Sequence, residues 1–219
     1  MLVSAEADGA SPRFITLEGG EAAGKSTQAR LLAEALAARG IEVVRTREPG
    51  GAPGAERLRE LLLGGDVAWS PAAETLLHFA ARAEHVERTI RPALAAGRWV
   101  VCDRFSDSTM AYQGYGQGAD RWMITTLTRL VGIVPDVTFV LDVSPAVAVA
   151  RLAGRGDRAD RYQAMDAAFH ARVADGFRAI ARAEPERCVL IDADAPEAAV
   201  HAAIMAGLTG RDPAGHLVP

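Results

Sequence analysis

Of the 24 lysine and arginine residues in this chain, Lys25 is the only lysine, and it lies in Gly19-Gly20-Glu21-Ala22-Ala23-Gly24-Lys25-Ser26. That run matches the pattern G-x-x-x-x-G-K-[ST] without a mismatch. Glycines at this spacing let the backbone curl with its N–H groups inward, and a following helix N-terminus adds partial positive charge, so such a loop can cradle a polyphosphate. Arginine serves wherever diffuse surface charge is enough, but a planar guanidinium is too wide to enter a ring of backbone amides between two phosphates. The lone lysine marks a position where a compact ammonium is required. Ser26 is then the expected Mg²⁺ ligand, and Gly19, Gly20, Glu21, Ala22, Ala23, Gly24, Lys25, Ser26 and Thr27 form the expected nucleotide loop.

Three further groups fit phosphate chemistry. Asp103-Arg104-Phe105 follows an apolar run, 99–102, and a carboxylate at such a strand end can sit near a metal held by the loop, through water if need be. Arg104 beside it could grip a second phosphate. Thr46-Arg47-Glu48-Pro49-Gly50-Gly51 is a charged pair followed by a turn, which alone reads equally well as a solvated loop. Arg151, Arg155, Arg158 and Arg161 surround Gly154 and Gly156. They read either as a solvated surface or as a lid that closes over phosphates, excludes water and supplies positive charge.

Residues of these kinds need a scaffold that brings them to one edge. Runs at 14–17, 42–46, 99–102, 137–141 and 188–191 read as strands, several apolar nearly throughout, as strands covered on both faces should be. Helical patterns fall between them at 25–39, 55–63, 71–96, 120–131 and 160–183. Alternating strand and helix predicts parallel pairing and right-handed crossovers. The expected architecture is a three-layer α/β fold of the P-loop NTPase kind: a five-stranded parallel sheet flanked by helices, with the Arg-rich lid over about 151–163. Ligands of such sheets bind beyond the carboxyl ends of the strands, where each of the groups above is placed.

Composition agrees and excludes other classes. A chain of 219 residues with 49% hydrophobic and 24% charged residues is ordinary for one globular domain, expected over 13–208, with loose tails at 1–12 and 209–219. A net charge of −4 argues against a general nucleic-acid binder. No run of about 18 apolar residues occurs and the first residues lack a signal-peptide pattern, so a cytoplasmic protein without membrane association is expected. Cys102 and Cys188 sit in apolar runs and read as buried residues rather than a disulfide or metal pair. His85, His170 and His201 have no partner cluster in the sequence and read as surface or packed residues; Trp69, Trp99 and Trp122 read as packing groups.

Taken together these segments resemble the bacterial thymidylate kinases over roughly 13–208. The resemblance is carried by the loop over 18–27, Thr46 to Gly51, Glu74-Thr75-Leu76-Leu77 followed by Arg82, Asp103-Arg104-Phe105, Ala111-Tyr112-Gln113-Gly114, Pro135-Asp136 and Asp160-Arg161. It implies transfer of the γ-phosphoryl of ATP to dTMP, with Mg²⁺, in a homodimer. By the same resemblance Glu21 would meet the deoxyribose 3′-hydroxyl, and Arg59 and Arg104 the acceptor phosphate. Glu48 would belong to the dTMP site. Arg82, Thr109 and Gln113 would read the thymine edge, Tyr112 would close off the 2′ side of the sugar, and Asp192-Ala193 would form the adenine-side loop. The catalytic set would be Lys25, Asp103 and Arg104 with the lid arginines Arg155, Arg158 and Arg161. A kinase for another nucleoside monophosphate or a deoxynucleoside is the alternative enzyme; a nucleotide-dependent switch is the alternative from another class, and the guanine-reading Asn-Lys-x-Asp motif of many such switches is absent.

The chain departs from its relatives at three places. Some relatives carry a catalytic arginine in the loop where Ala22 and Ala23 stand here, which leaves that charge to the lid. Gln163 stands where a glutamate usually follows the Asp-Arg pair. His78 occupies the place of a phenylalanine that lies against the thymine ring, with Phe79 next to it. Leu76, Phe79, Ala80, Ala83, Val86 and Ile90 recur at helical spacing and are expected to be the core stripe, placing Glu74, His78, Arg82 and His85 on the opposite face. His78 and Arg82 are then i, i+4 neighbours, which favours His78 as the ring against the base and Phe79 as core.

Overall fold

The computed structural model describes residues 13–64, 67–153 and 161–211. Its strands are β1 (Phe14–Gly19), β2 (Val43–Arg47), β3 (Trp99–Asp103), β4 (Val137–Asp142) and β5 (Cys188–Asp192). All pair in parallel, in the order β2-β3-β1-β4-β5. The central strand β1 is buried along its whole length. Its buried Thr16 is satisfied across the ladder, Oγ1 lying 2.7 Å from Thr138 Oγ1. The edge strand β2 exposes Arg45 and Arg47, charges that keep an open edge from pairing with another chain.

The helices are α1 (Lys25–Ala37), α2 (Pro53–Leu63), α3 (Pro71–His85), α4 (Arg91–Ala95), α5 (Ser106–Thr109), α6 (Arg121–Val131), α7 (Pro145–Ala153), α8 (Ala167–Ala183) and α9 (Glu197–Thr209). Alternation along the strands feeds two cores. Ile15, Leu17, Val101 and Phe139 meet Leu32 and Leu36 of α1 and Ile204 of α9 on one face. On the other face Phe14, Val100 and Cys102 meet Val86, Ile90 and Phe105, while Val140 and Cys188 meet Phe169, Val173 and Phe177 of α8. The three-layer arrangement and the burial of both cysteines are as expected.

Several local expectations are corrected. The helix expected over 71–96 runs unbroken from 71 to 95 but is not α throughout: a π turn, Val86–Ile90, joins α3 to α4, with Arg91 N donating five residues back to Val86 O. Pro92, lacking an N–H, cannot continue the i→i−4 ladder there. The expected helix over 160–183 begins at Ala167 among the described residues, because Asp166 caps it by accepting from Phe169 N at 2.7 Å. Three helical segments, α5 with the π-helical Met110–Gly116 after it, α7 and α9, go beyond those expected.

The core stripe expected over 76–90 holds at Phe79, Val86 and Ile90, which are buried, and fails over the rest of α3. Leu76, at 51% exposure, and Ala80 and Ala83 face outward, whereas Glu74, Arg82 and His85 are buried along with Phe79. Trp122, read as a packing group, is 74% exposed. Among the described residues no helix is long and apolar enough to cross a membrane.

Candidate active site

All five strands end on one edge, so β1, β2 and β3 deliver Gly19, Arg47 and Asp103 close together. Gly19 has φ +134°, and a Cβ there would run into the Leu141 carbonyl; only glycine lets the chain turn this tightly against β4. Gly24, φ +93°, precedes α1 directly. The turn brings Lys25 inward, and its Nζ donates to Gly20 O at 2.6 Å. Burial draws the Lys25 ammonium down to about 8 and neighbouring Arg104 adds to that, while Glu21, Asp103 and Glu18 work the other way. Ser26 Oγ donates to Asp103 Oδ2 at 2.5 Å. These two oxygens are the hard donors a Mg²⁺ ion takes, one or two from protein with the rest from phosphate and water. No cluster of three or more His, Cys, Asp or Glu that could hold a metal occurs among the described residues.

Asp103 is followed by Arg104 in left-handed backbone, φ +71°. That turn carries the guanidinium into the cleft over the ring of Tyr112, 4.9 Å away. Arg104 Nη2 donates to Glu21 Oε1 at 2.7 Å, and the Tyr112 hydroxyl donates to the same oxygen at 2.5 Å. Burial opposes ionisation of Glu21, yet Arg104 and Lys25 outweigh it and bring the carboxyl to about 2. Beneath them Glu18 is fully buried, accepting from Phe105 N at 2.7 Å and Ser108 Oγ at 2.6 Å, and burial with Asp107 nearby raises it to about 7.

The second wall comes from the β2 loop and α3. Arg82 Nε donates to Glu48 Oε2 at 2.8 Å and Nη2 to Thr109 Oγ1 at 3.1 Å. Its guanidinium lies between the rings of Phe79 and Phe105, 4.6 and 5.1 Å away. His85, read from sequence as a surface or packed residue without a partner cluster, is packed and does have partners, Nδ1 lying 3.0 Å from Glu48 Oε1 and Nε2 2.7 Å from Thr46 Oγ1. Arg59 Nη1 donates to Pro49 O at 2.7 Å.

One cavity collects these groups, from Lys25 and Ser26 at one end to Arg59, Arg82, Gln113 and Tyr162 at the other. Glu21, Thr27, Glu48, His78, Asp103, Arg104, Thr109 and Tyr112 also line it. His78 faces this cavity and Phe79 packs with Ala119 and Ile124, as the sequence argument assigned them, although the stripe used to argue it holds only in part. His78 Nε2 is 2.9 Å from the Tyr162 hydroxyl. Burial, with Arg82, Arg104 and Arg161 around it, lowers the imidazole to about 3.

Other expected residues lie at the margins. Ala193 is buried, but its carbonyl accepts from Arg151 Nη2 at 2.8 Å, and Arg151 Nη1 also reaches Ala22 O at 3.3 Å. Arg151 thus ties the phosphate loop to the loop after β5, where Asp192 is exposed. Arg161 is paired with Glu74 at 2.7 Å. Arg155 and Arg158 lie outside the described residues.

The thymidylate kinase family model matches residues 17–204 of this chain. The chain belongs to the thymidylate kinase family. It is 55% identical over 196 residues to the thymidylate kinase of Gluconobacter oxydans, covering 88% of this chain and 92% of that protein. It is 54% identical to that of Caulobacter vibrioides, covering 87% and 93%. Among solved structures, the thymidylate kinase of Ehrlichia chaffeensis superposes with a TM-score of 0.76 at 38% identity, over 90% of this chain and 99% of that one. Within a family frame of that extent, Arg151, Glu18, His85, Glu74 and Tyr162 are the site residues whose roles sequence reasoning missed. The signals available were the places of Glu18, Glu74 and Tyr162 inside or beside the quoted motifs, of Arg151 in the arginine cluster read as a surface or a lid, and of His85 on the helix face that carries Arg82.

Proposed function

We propose that this chain transfers the γ-phosphoryl of ATP to dTMP, giving ADP and dTDP, with donor and acceptor held in the two halves of the one cavity. The observation that carries this reading is the joint placement of Lys25, Ser26 and Asp103 with Arg104, Arg82 and Gln113 around a shared space. The loop amides and Lys25 bind the donor phosphates. Ser26 and Asp103 would hold Mg²⁺, which would supply positive charge to neutralise the donor's phosphate oxygens. Arg151 orders the floor by fixing the carbonyls of Ala22 and Ala193, and Asp192-Ala193 flanks the adenine.

The acceptor is a phosphate monoester whose second pKa is near 6, so it reaches the site largely dianionic and needs no general base. The obstacle is repulsion between two polyanions, and cations that hold donor and acceptor in line are the remedy. Arg104 and Arg59 grip the acceptor phosphate. Glu21, kept ionised, accepts from the 3′-hydroxyl. Tyr112 is held edge-on by Tyr162, Phe169 and Phe177, with centroids 5.4 to 6.1 Å away, which makes it a stiff wall on the 2′ side of the sugar. With Ala22 and Ala23 in the loop, the remaining transition-state charge comes from the lid arginines, Arg155, Arg158 or Arg161.

The active form is a homodimer. Supporting this are large apolar side chains left exposed on α3 and α6, Leu76, Trp122 and Leu130, on helices that pack together through Phe79 and Ile124. Trp122→Glu with Leu76→Glu is expected to shift the protein to monomer in sedimentation, whereas an unchanged dimer contradicts this face.

The reaction is tested by ADP release from ATP and Mg²⁺ with a panel of acceptors. dTMP is expected to exceed dCMP, dGMP and AMP in kcat/KM by orders of magnitude. Equal turnover across the panel would sink the acceptor assignment, and nucleotide binding with no transfer at all would favour a switch.

A further inference from the structure

Glu74 touches neither substrate in the scheme above, yet it is the most heavily bonded carboxylate near the site. It is fully buried and paired to Arg161 through Oε2. Its Oε1 accepts from Gln113 Nε2 at 2.8 Å, from Gln117 Nε2 at 2.8 Å and from the Tyr162 hydroxyl at 2.7 Å. A carboxylate only accepts, and this fixes the direction of every bond around it. Gln113 must present its nitrogen. The Tyr162 oxygen, 3.2 Å from that nitrogen and 2.7 Å from Glu74 Oε1, lies on the same side and shares the hydrogen that points there. The Tyr162 proton is committed to Glu74, so the His78–Tyr162 contact runs from His78 Nε2–H to the phenol oxygen.

With its nitrogen held on the Glu74 side, Gln113 is fixed in one amide orientation beside the cavity it lines, with Oε1 as its acceptor. Beside the same cavity Arg82 Nη1 is buried and has no partner among the described residues, while Nε and Nη2 are engaged. Arg82 also lines the cavity and, as a guanidinium, can only donate, whereas Gln113 held this way accepts at Oε1. Thymine offers the complement, an O4 acceptor next to an N3–H donor; cytosine offers the reverse at both points, an amino donor next to a bare N3. A free glutamine would not distinguish them, since its amide can turn over at little cost.

We infer that Glu74 sets the base selectivity of the site as a positioning residue: by holding the nitrogen of Gln113 it keeps Oε1 toward the base and denies the pocket to cytosine. The inference rests on the dTMP reading above. A buried donor or acceptor left unpaired is expensive, so a wrong base meeting two mismatches loses more than one merely missing a contact. The same carboxylate holds Tyr162 and Arg161 from the segment entering α8, which joins the base pocket to the end of the lid.

The test is the ratio of kcat/KM for dTMP to that for dCMP, in wild type and in Glu74→Gln. The amide at position 74 can donate to Gln113 Oε1, which frees Gln113 to turn. The ratio is expected to fall about tenfold or more, through KM more than kcat. A merely structural role lowers both acceptors alike and leaves the ratio unchanged, which would overturn the inference. Gln113→Met, which leaves Glu74 intact, provides the second arm should Glu74→Gln fold poorly. The same fall is expected there, and a retained ratio would equally overturn the inference. Absence of any wild-type preference for dTMP overturns the reading beneath it instead.

Discussion

At the scale of single residues, the burial of polar groups decides most of the chemistry. His78 shows this in two ways. As the ring facing the base it should matter to dTMP binding, so His78→Ala is expected to raise KM for dTMP several-fold, and clearly more than Phe79→Leu. The latter change should instead reduce stability by about 1 kcal/mol, as a shape change in a packed site does. Equal KM effects, or the reverse order, would return the stacking role to Phe79. Because burial depresses His78 to about 3, the folded protein keeps it neutral between pH 3 and 6.5, where the unfolded chain binds a proton. The unfolded state binds more protons there, so His78 makes the fold lose stability as pH falls below 6.5, by at most about 1.4 kcal/mol per unit. His78→Phe should flatten that acid slope in urea unfolding between pH 7 and 5; a slope unchanged by the substitution would mean the imidazole is protonated in place.

At the scale of elements, the phosphate loop was legible in the sequence because its chemistry is local. Glycines at fixed spacing, a lysine and a following helix are all contiguous, and Gly19 stands where a Cβ cannot. Gly19→Ala, forced to φ +134° against the Leu141 carbonyl, should cost roughly 2 kcal/mol or more, lower Tm by roughly 4–8 °C and weaken ATP binding more than dTMP binding. Retention of both by calorimetry would show that the loop tolerates a different turn. α3 was legible as a helix but its faces were not. A helix that lines a polar cavity buries its polar side, so Glu74, Arg82 and His85 went inward and Leu76 outward, against the apolar-stripe rule. The short α5 and the π-helical turn holding Tyr112 and Gln113 escaped for another reason. Glycine, serine and threonine give that segment no helical pattern, and its shape comes from packing on α8 through Phe169 and Phe177.

At the scale of the whole molecule, the order β2-β3-β1-β4-β5 assembles two walls from distant parts of the chain. The lysine loop after β1 and the arginines after β2, on α3 and after β3 meet only because parallel strands end together. The strands and their order of appearance could be read from apolar runs, and the sheet order agrees with the alternation of strand and helix. The bonds that hold the acceptor side, Glu48 to Arg82 and His85 and Glu74 to Gln113, join residues about 34 to 39 positions apart and carry no local signature. On the proposed reading the cations divide by task, one ammonium for the donor nucleotide and guanidinia for the acceptor, the base and the lid.

That division is tested most directly by Lys25→Arg, studied by steady-state turnover with ATP and Mg²⁺ and by calorimetric binding of dTMP to the same protein. A guanidinium keeps the charge but cannot enter the ring of loop amides, so kcat should fall roughly 100-fold or more while dTMP affinity stays within about twofold of wild type. Turnover near the wild-type rate, or loss of dTMP binding in step with loss of turnover, would contradict the assignment of the chain's one lysine to the donor half of the cleft.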